Sequence, residues 1–140
     1  MDSIWRKITH NPERLALSGH IQTEAAAIGG GMAGILTAFF LQEAGVKTIV
    51  LEAGHVGEGQ TGSTTAKITA QHGLIYDGLI HSQGKEKAAL YARANSRAVE
   101  DYRSLGQSRN IQCRWLDCPA YLYTRCKRDV VENEVRACDE

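Results

Sequence analysis

The sequence predicts an α/β fold built on a strand–turn–helix–strand unit, and three observations predict it. Gly29-Gly30-Gly31 separates a short apolar run from a longer one. The longer run, Met32 to Ala44, has helical character and meets Gly45, a good carboxy-terminal stop. Val46–Leu51 (VKTIVL) is rich in β-branched residues and reads as a strand. Glycine loses more backbone freedom on ordering than any other residue, so three in succession need a geometric reason.

Each element follows in chain order. In the leader, residues 1–23, Asn11-Pro12-Glu13 predicts the cap and opening of a short helix. Glu24 to Ile28 is a short apolar run ending at glycine and reads as a buried strand, although alanine is a weak strand former. Strand, turn, helix and strand together make a βαβ unit of about 30 residues, whose crossover makes the two strands parallel. Ala53–Lys67 (AGHVGEGQTGSTTAK) is a small-residue loop with backbone N–H groups and hydroxyls available to a ligand. Tyr76–Gln83 predicts a short helix broken at Gly84.

Lys85–Leu105 is the longest helical segment, with Tyr91, Ala94, Ala98, Tyr102 and Leu105 on one stripe and Gly106 as its stop. Arg97 and Asp101 pair at i,i+4 along it. Arg114–Leu116 and Ala120–Thr124 read as two short strands, a β-hairpin around Asp117-Cys118-Pro119, with Trp115 and Tyr121 packing the sheet edge. Val131, Val135 and Cys138 begin another helical stripe. Three segments result: the leader (1–23), a ligand-binding α/β portion (24–110) and the start of a further portion (111–140).

Composition narrows the function classes. The chain has 140 residues, 43% hydrophobic and 23% charged, ordinary values for one globular domain. Its formal net charge is zero, so no global field draws it to nucleic acid or an anionic membrane. The apolar stretch Ile28–Leu41 is 14 residues, or 17 counted from Ala25, against the about 20 that a membrane span needs. The Gly30-x-x-x-Gly34 spacing has a membrane-dimerisation reading, which the lack of a spanning run disfavours. A secretory signal would begin late, behind residues that include Glu13 and Glu24. A cytoplasmic protein is expected. Cys113, Cys118, Cys126 and Cys138 follow one another at C-x4-C, C-x7-C and C-x11-C with no histidine after His81. Metal sites use tighter recurring pairs, so reduced structural thiols and no metal are expected.

The chemistry concentrates in Gly29-Gly30-Gly31-Met32-Ala33-Gly34, which satisfies G-x-G-x-x-G between a strand and a helix, with Glu52 closing the next strand. Gly29 permits the turn, Gly31 admits a pyrophosphate close to the backbone, and Gly34 lets the helix sit tightly on the sheet. The helix starting near Met32 turns its N–H groups and positive dipole end to the phosphates. Glu52 can accept hydrogen bonds from an adenosine ribose, and its charge disfavours the 2′-phosphate of NADP. The competing reading is a glycine-rich corner that merely packs tightly. Geometry at the ADP half leaves NAD and FAD open.

The run IGGGMAGILTAFFLQEAGVKTIVLE resembles the amino-terminal ADP-binding motif of FAD-dependent oxidoreductases, with Ala38, Leu41 and Gly45 at the family's offsets. GEGQTGSTTAKITAQHGLIYD is similar to the second flavin-contacting loop of the D-amino-acid oxidase/glycine oxidase superfamily. The likeness is to bacterial members that carry TTAKIT and QHG, some of which end in a Rieske iron–sulfur domain. It runs from about Ser3 to Thr124.

The resemblance implies a Rossmann-like βαβ FAD/NAD(P)-binding domain and FAD as cofactor. The implied cofactor-binding set is Gly29, Gly30, Gly31, Met32, Ala33, Gly34, Glu52, Ala53, Thr61, Thr64, Thr65 and Lys67. Thr64 and Thr65 match the family's contacts near the pyrophosphate and ribityl chain, their alternative being helix capping. Lys67 and His72 match a stretch that approaches the flavin ring, their alternative being solvated or packing residues. His10, His20, His55 and His81 belong to no cluster. The family's activity is oxidation of a small-molecule amine or amino acid by hydride transfer to flavin. Its members run to several hundred residues, with a substrate-binding sheet and a return segment, so the chain is expected to be an incomplete amino-terminal portion. No residue is assigned a catalytic role. Uncovered apolar surface implies self-association. The alternatives are a non-catalytic nucleotide-binding remnant and an NAD-dependent dehydrogenase half.

Overall fold

The strands and the helix between them form as expected in the computed structural model, which describes residues 3–8 and 11–139. The reading of His10 lies outside the described residues. Packing divides the chain into two units, Met1–Ala66 and Lys67–Glu140.

In the first unit, β1 (Ala25–Ile28) and β2 (Thr48–Leu51) follow α1 (Ile4–Ile8) and enclose α2 (Met32–Glu43) in sequence. The strands are parallel, pairing Ala25 with Thr48 through Ile28 with Leu51. Their predicted amino-terminal extensions are drawn into a polar knot instead of the ladder. The Glu24 carboxylate accepts the Lys47 N–H at 2.7 Å, and the Lys47 carbonyl accepts the Thr23 hydroxyl and two backbone N–H groups. Helix α2 packs on both strands, with Ala38 buried and Gly34 and Leu41 partly covered on the same face. It ends where the Gly45 N–H reaches the Gln42 carbonyl and the Val46 N–H the Leu41 carbonyl.

The leader departs from expectation. Its helix is α1, while Asn11-Pro12-Glu13 lies in irregular backbone. Leu15, Leu17 and Ile21 are all exposed, so a helix opened at Pro12 would have no apolar partner, and short helices depend on one.

In the second unit, α3 (Tyr76–Gln83) packs on both α4 (Lys85–Ser108) and α5 (Arg128–Asp139). Helix α4 runs through Gly106 and stops two residues later, at Ser108, in a Schellman arrangement. There Asn110 takes φ +49°, its N–H reaches the Gln107 carbonyl, and the Ile111 N–H reaches the Gly106 carbonyl. Asparagine, not the glycine, supplies the left-handed residue. The covered face of α4 includes Ala88, Ala92, Asn95 and Val99 with Tyr102 and Leu105 of the expected stripe, whereas Tyr91, Ala94 and Ala98 of that stripe are exposed. The alanines on both faces made the stripe's phase ambiguous. Arg97 and Asp101 do pair, at 2.7 Å.

The β-hairpin does not form: residues 112–124 contain no strand. Arg114 takes φ +51°, which breaks extended geometry inside the first expected strand. The segment is held by side chains instead. Asp117 accepts Arg103 Nη1 at 2.7 Å and Trp115 Nε1 at 3.1 Å, and the Arg103 guanidinium lies 5.4 Å from the Trp115 ring centre. Trp115 therefore stacks on α4's arginine, and Tyr121 is exposed; neither packs a sheet edge.

Candidate functional site

The bend between β1 and α2 is built by contacts its glycines permit. Gly29 sits at φ +101°, a conformation that side-chain-bearing residues rarely adopt, while its N–H continues the ladder to the Leu51 carbonyl at 2.7 Å. A Cβ at Gly34 would lie 2.0 Å from the Gly29 carbonyl oxygen. The helix therefore approaches the strand end more closely than alanine allows. At Gly31 a Cβ would stand 3.4 Å from the Thr61 hydroxyl, so the first helical turn faces the later loop across bare backbone.

Glu52, one residue beyond β2, turns back to this bend. Its Oε2 accepts the Gly30 N–H at 2.5 Å and its Oε1 accepts the Gly54 N–H at 2.8 Å. The Gly54 N–H foremost, then Gly30's, hold the carboxyl below the ordinary glutamate value of 4.5 by stabilising the anion. The acid is ionised at the corner where the glycines cluster. The Ala53 N–H adds to these two donors, and the carboxylate keeps lone-pair capacity for a further donor.

The loop after β2 completes the frame. The Gly57 N–H donates to the Gly30 carbonyl at 2.8 Å, and the Thr61 hydroxyl accepts the Met32 N–H at 3.0 Å. That hydroxyl keeps its own proton for an acceptor above the helix end. Met32 and Ala33 are exposed in the first turn. Thr64 turns its hydroxyl to the Ala66 N–H at 3.2 Å, with Ala66 at φ +56°, and Thr65 is exposed. Thr64 directly follows the short 3-10 turn Thr61–Ser63 as its C-cap residue. The geometry thus brings Gly29 to Gly34, Glu52, Ala53 and Thr61 together.

Lys67 and His72 belong to the second unit. His72 Nε2 lies 3.4 Å from Asn95 Oδ1. All four cysteines are free and exposed; partial desolvation, then the charge of Glu134, raises the Cys138 thiol above its ordinary value. Among the described residues no cluster of three His, Cys, Asp or Glu could hold a metal ion, and no helix is long and apolar enough to cross a membrane.

Sequence reasoning missed Val56 and Glu134. Val56 and Glu52 pack against Gly30, where a Cβ would meet both at 3.1 Å; this fixes the middle glycine, and no spacing rule marks it. Glu134 is buried on α5, with only 1% exposure, beneath the start of α3. An isolated glutamate in a charged helix carries no such signal.

A glycine-cornered βαβ unit whose second strand delivers an ionised acid to the corner is an arrangement shared with dinucleotide-binding α/β proteins. The sequence profile of the family described as FAD dependent oxidoreductase (DAO) matches residues 24–140, and the chain belongs to that family. It is 38% identical over 123 residues to YhfW of Bacillus subtilis (strain 168), named as a Rieske 2Fe-2S iron-sulfur protein. The match covers 88% of this chain and 24% of that relative, so the chain spans about a quarter of its length. No solved structure matches.

Proposed function

We propose that the Met1–Ala66 unit is the opening portion of a Rossmann-like domain that binds FAD, and that the chain serves an oxidoreductase acting on amines or amino acids. The observation that carries the reading is the ionised Glu52 carboxylate hydrogen-bonded to Gly30 at the mouth of the glycine bend. The residues present fit an ADP moiety. Bare backbone at Gly31 leaves room for a diphosphate, and the start of α2 offers N–H groups that have no partner within the helix. Glu52 would hold the adenosine ribose through its remaining lone pairs. Thr61, Thr64 and Thr65 would donate hydroxyl protons to phosphate oxygens without adding charge.

When bound, the flavin supplies acceptance of a hydride from the carbon bearing the amine. The chain's own contribution is to grip the nucleotide end and orient it. Family membership supports FAD over NAD, and the negative charge of Glu52 disfavours a 2′-phosphate.

Titration with FAD, NADH and ADP tests this. FAD and ADP are expected to bind, and Glu52→Arg and Gly31→Val to abolish that binding while far-UV circular dichroism keeps its helical signal. Tight NADH binding without FAD affinity would overturn the cofactor assignment, and undiminished FAD binding in both variants would overturn the cradle.

A further inference from the structure

The family match begins at residue 24, yet residues upstream of it grip the loop after β2 at three points. Trp5 Nε1 donates to the Thr64 carbonyl at 2.7 Å, Arg6 Nη2 to the Gly59 carbonyl at 3.3 Å, and Asn11 Nδ2 to the Val56 carbonyl at 2.6 Å. The three acceptors span the loop from shortly after Glu52 to the threonine pair. Contact is close as well as polar. Gly62 is buried, and a Cβ there would lie 3.3 Å from Arg6 Nε and 2.9 Å from the Gly57 carbonyl.

The same loop faces the glycine bend on its other side, through Gly57 to the Gly30 carbonyl and Thr61 to the Met32 N–H. It contains Gly54, Gly57, Gly59 and Gly62, a composition with a large conformational entropy to lose on ordering. Besides two hydrogen bonds to the bend it has short local ones, such as the Glu58 N–H to the His55 carbonyl at 3.2 Å and the Ser63 N–H to the Gln60 carbonyl at 3.0 Å. The leader supplies three more from outside the loop, all to its backbone carbonyls.

We infer that α1 and Asn11 form a clasp that holds residues 56–64 in the conformation that receives the dinucleotide, with Trp5, Arg6 and Asn11 as positioning residues. The clasp orders the loop before the ligand arrives, so binding does not bear that cost. The inference rests on the dinucleotide reading above.

Trp5→Phe keeps an aromatic body and removes the donor; Asn11→Ala removes an exposed amide. In the full chain without ligand, the double variant is expected to speed amide hydrogen exchange at Gly57 and Ser63 about five- to tenfold, the equivalent of one or two lost hydrogen bonds. Exchange in β1 and β2 stays as in the parent. The FAD and ADP dissociation constants rise by a similar five- to tenfold factor. Trp5→Phe adds little to a Thr61→Val background, because both act through one loop.

Unchanged exchange at Gly57 and Ser63 would overturn the clasp whatever the chain binds. Faster exchange with unaltered FAD and ADP affinity would overturn the positioning role and leave the dinucleotide reading standing. A parent that binds neither ligand would remove that reading and the positioning role with it.

Discussion

Replacing Glu134 should undo the second unit, and the size of the effect follows from its contacts. Its Oε1 accepts the Ile75 N–H at 2.8 Å, the Tyr76 N–H at 2.9 Å and Gln71 Nε2 at 3.0 Å; its Oε2 accepts the Asp77 N–H at 2.9 Å. Three of these donors are the orphan N–H groups at the start of α3, and α5 provides the cap from 57 to 59 residues away. Glu134→Leu leaves them without an acceptor in a buried place, at about 1–3 kcal/mol for each unsatisfied group. Allowing for partial relaxation, the loss is about 3–6 kcal/mol, a large share of the 5–15 kcal/mol that typically holds a domain. Glu134→Gln keeps one acceptor oxygen but sets its amide against a donor, at about 1–3 kcal/mol.

Acid provides a second reading of the same contact. Burial pushes the Glu134 carboxyl up, but the Asp77, Tyr76 and Ile75 N–H groups with Gln71 outweigh it and hold the carboxyl below the ordinary 4.5. The stabilisation is therefore complete above that pH and lost as pH falls through the lower folded value. Urea unfolding followed by far-UV circular dichroism from pH 7 to pH 3 measures both effects. The parent should lose stability in the acid window, and Glu134→Gln should start lower and lose less there. A Glu134→Gln protein as stable as the parent, with the same acid slope, would refute the cap.

Gly34→Ala forces a Cβ toward a carbonyl oxygen 2.0 Å away, so α2 must shift from β1; overpacking of this kind costs about 1–3 kcal/mol or more. A lowered urea midpoint together with lost FAD binding checks it, whereas Gly78→Ala, with open space at its Cβ inside α3, should stabilise by about 0.5–1 kcal/mol through helix propensity. Asp117→Asn should free residues 112–124 from α4, seen as a red-shifted Trp115 emission and faster acrylamide quenching in a Trp5→Phe background. Hydrogen bonds from Arg103, then Trp115, hold the Asp117 carboxyl below 3.8, so the parent should show that shift only as pH falls below the ordinary aspartate range. Cys126→Ser should change neither flavin nor metal content by absorbance and elemental analysis; zinc or iron lost in the variant would contradict the reading of its thiol as structural.

What the sequence determined by itself lies within short stretches of chain. The bend, α2, the parallel strand pair and the limits of α3 follow from glycine placement, β-branched runs and helix stops, each an effect of near neighbours on backbone geometry. Glu52 was legible for the same reason, since the length of one βαβ turn sets which residue closes the second strand beside the glycines.

Tertiary structure decided the rest. Leader residues 4–8 form a helix that grips the loop after β2. Asn110 rather than Gly106 ends α4, and the covered faces of α4 and α5 are turned from their apolar stripes. On α5 Val135 is exposed while Glu134 is buried. A carboxylate can be buried only where distant backbone donors converge on it, and a pattern of apolar spacing contains no information about those donors. The expected strands near Trp115 failed on the same ground: a strand exists through a partner's hydrogen bonds, and among the described residues none reaches 112–124 as a ladder.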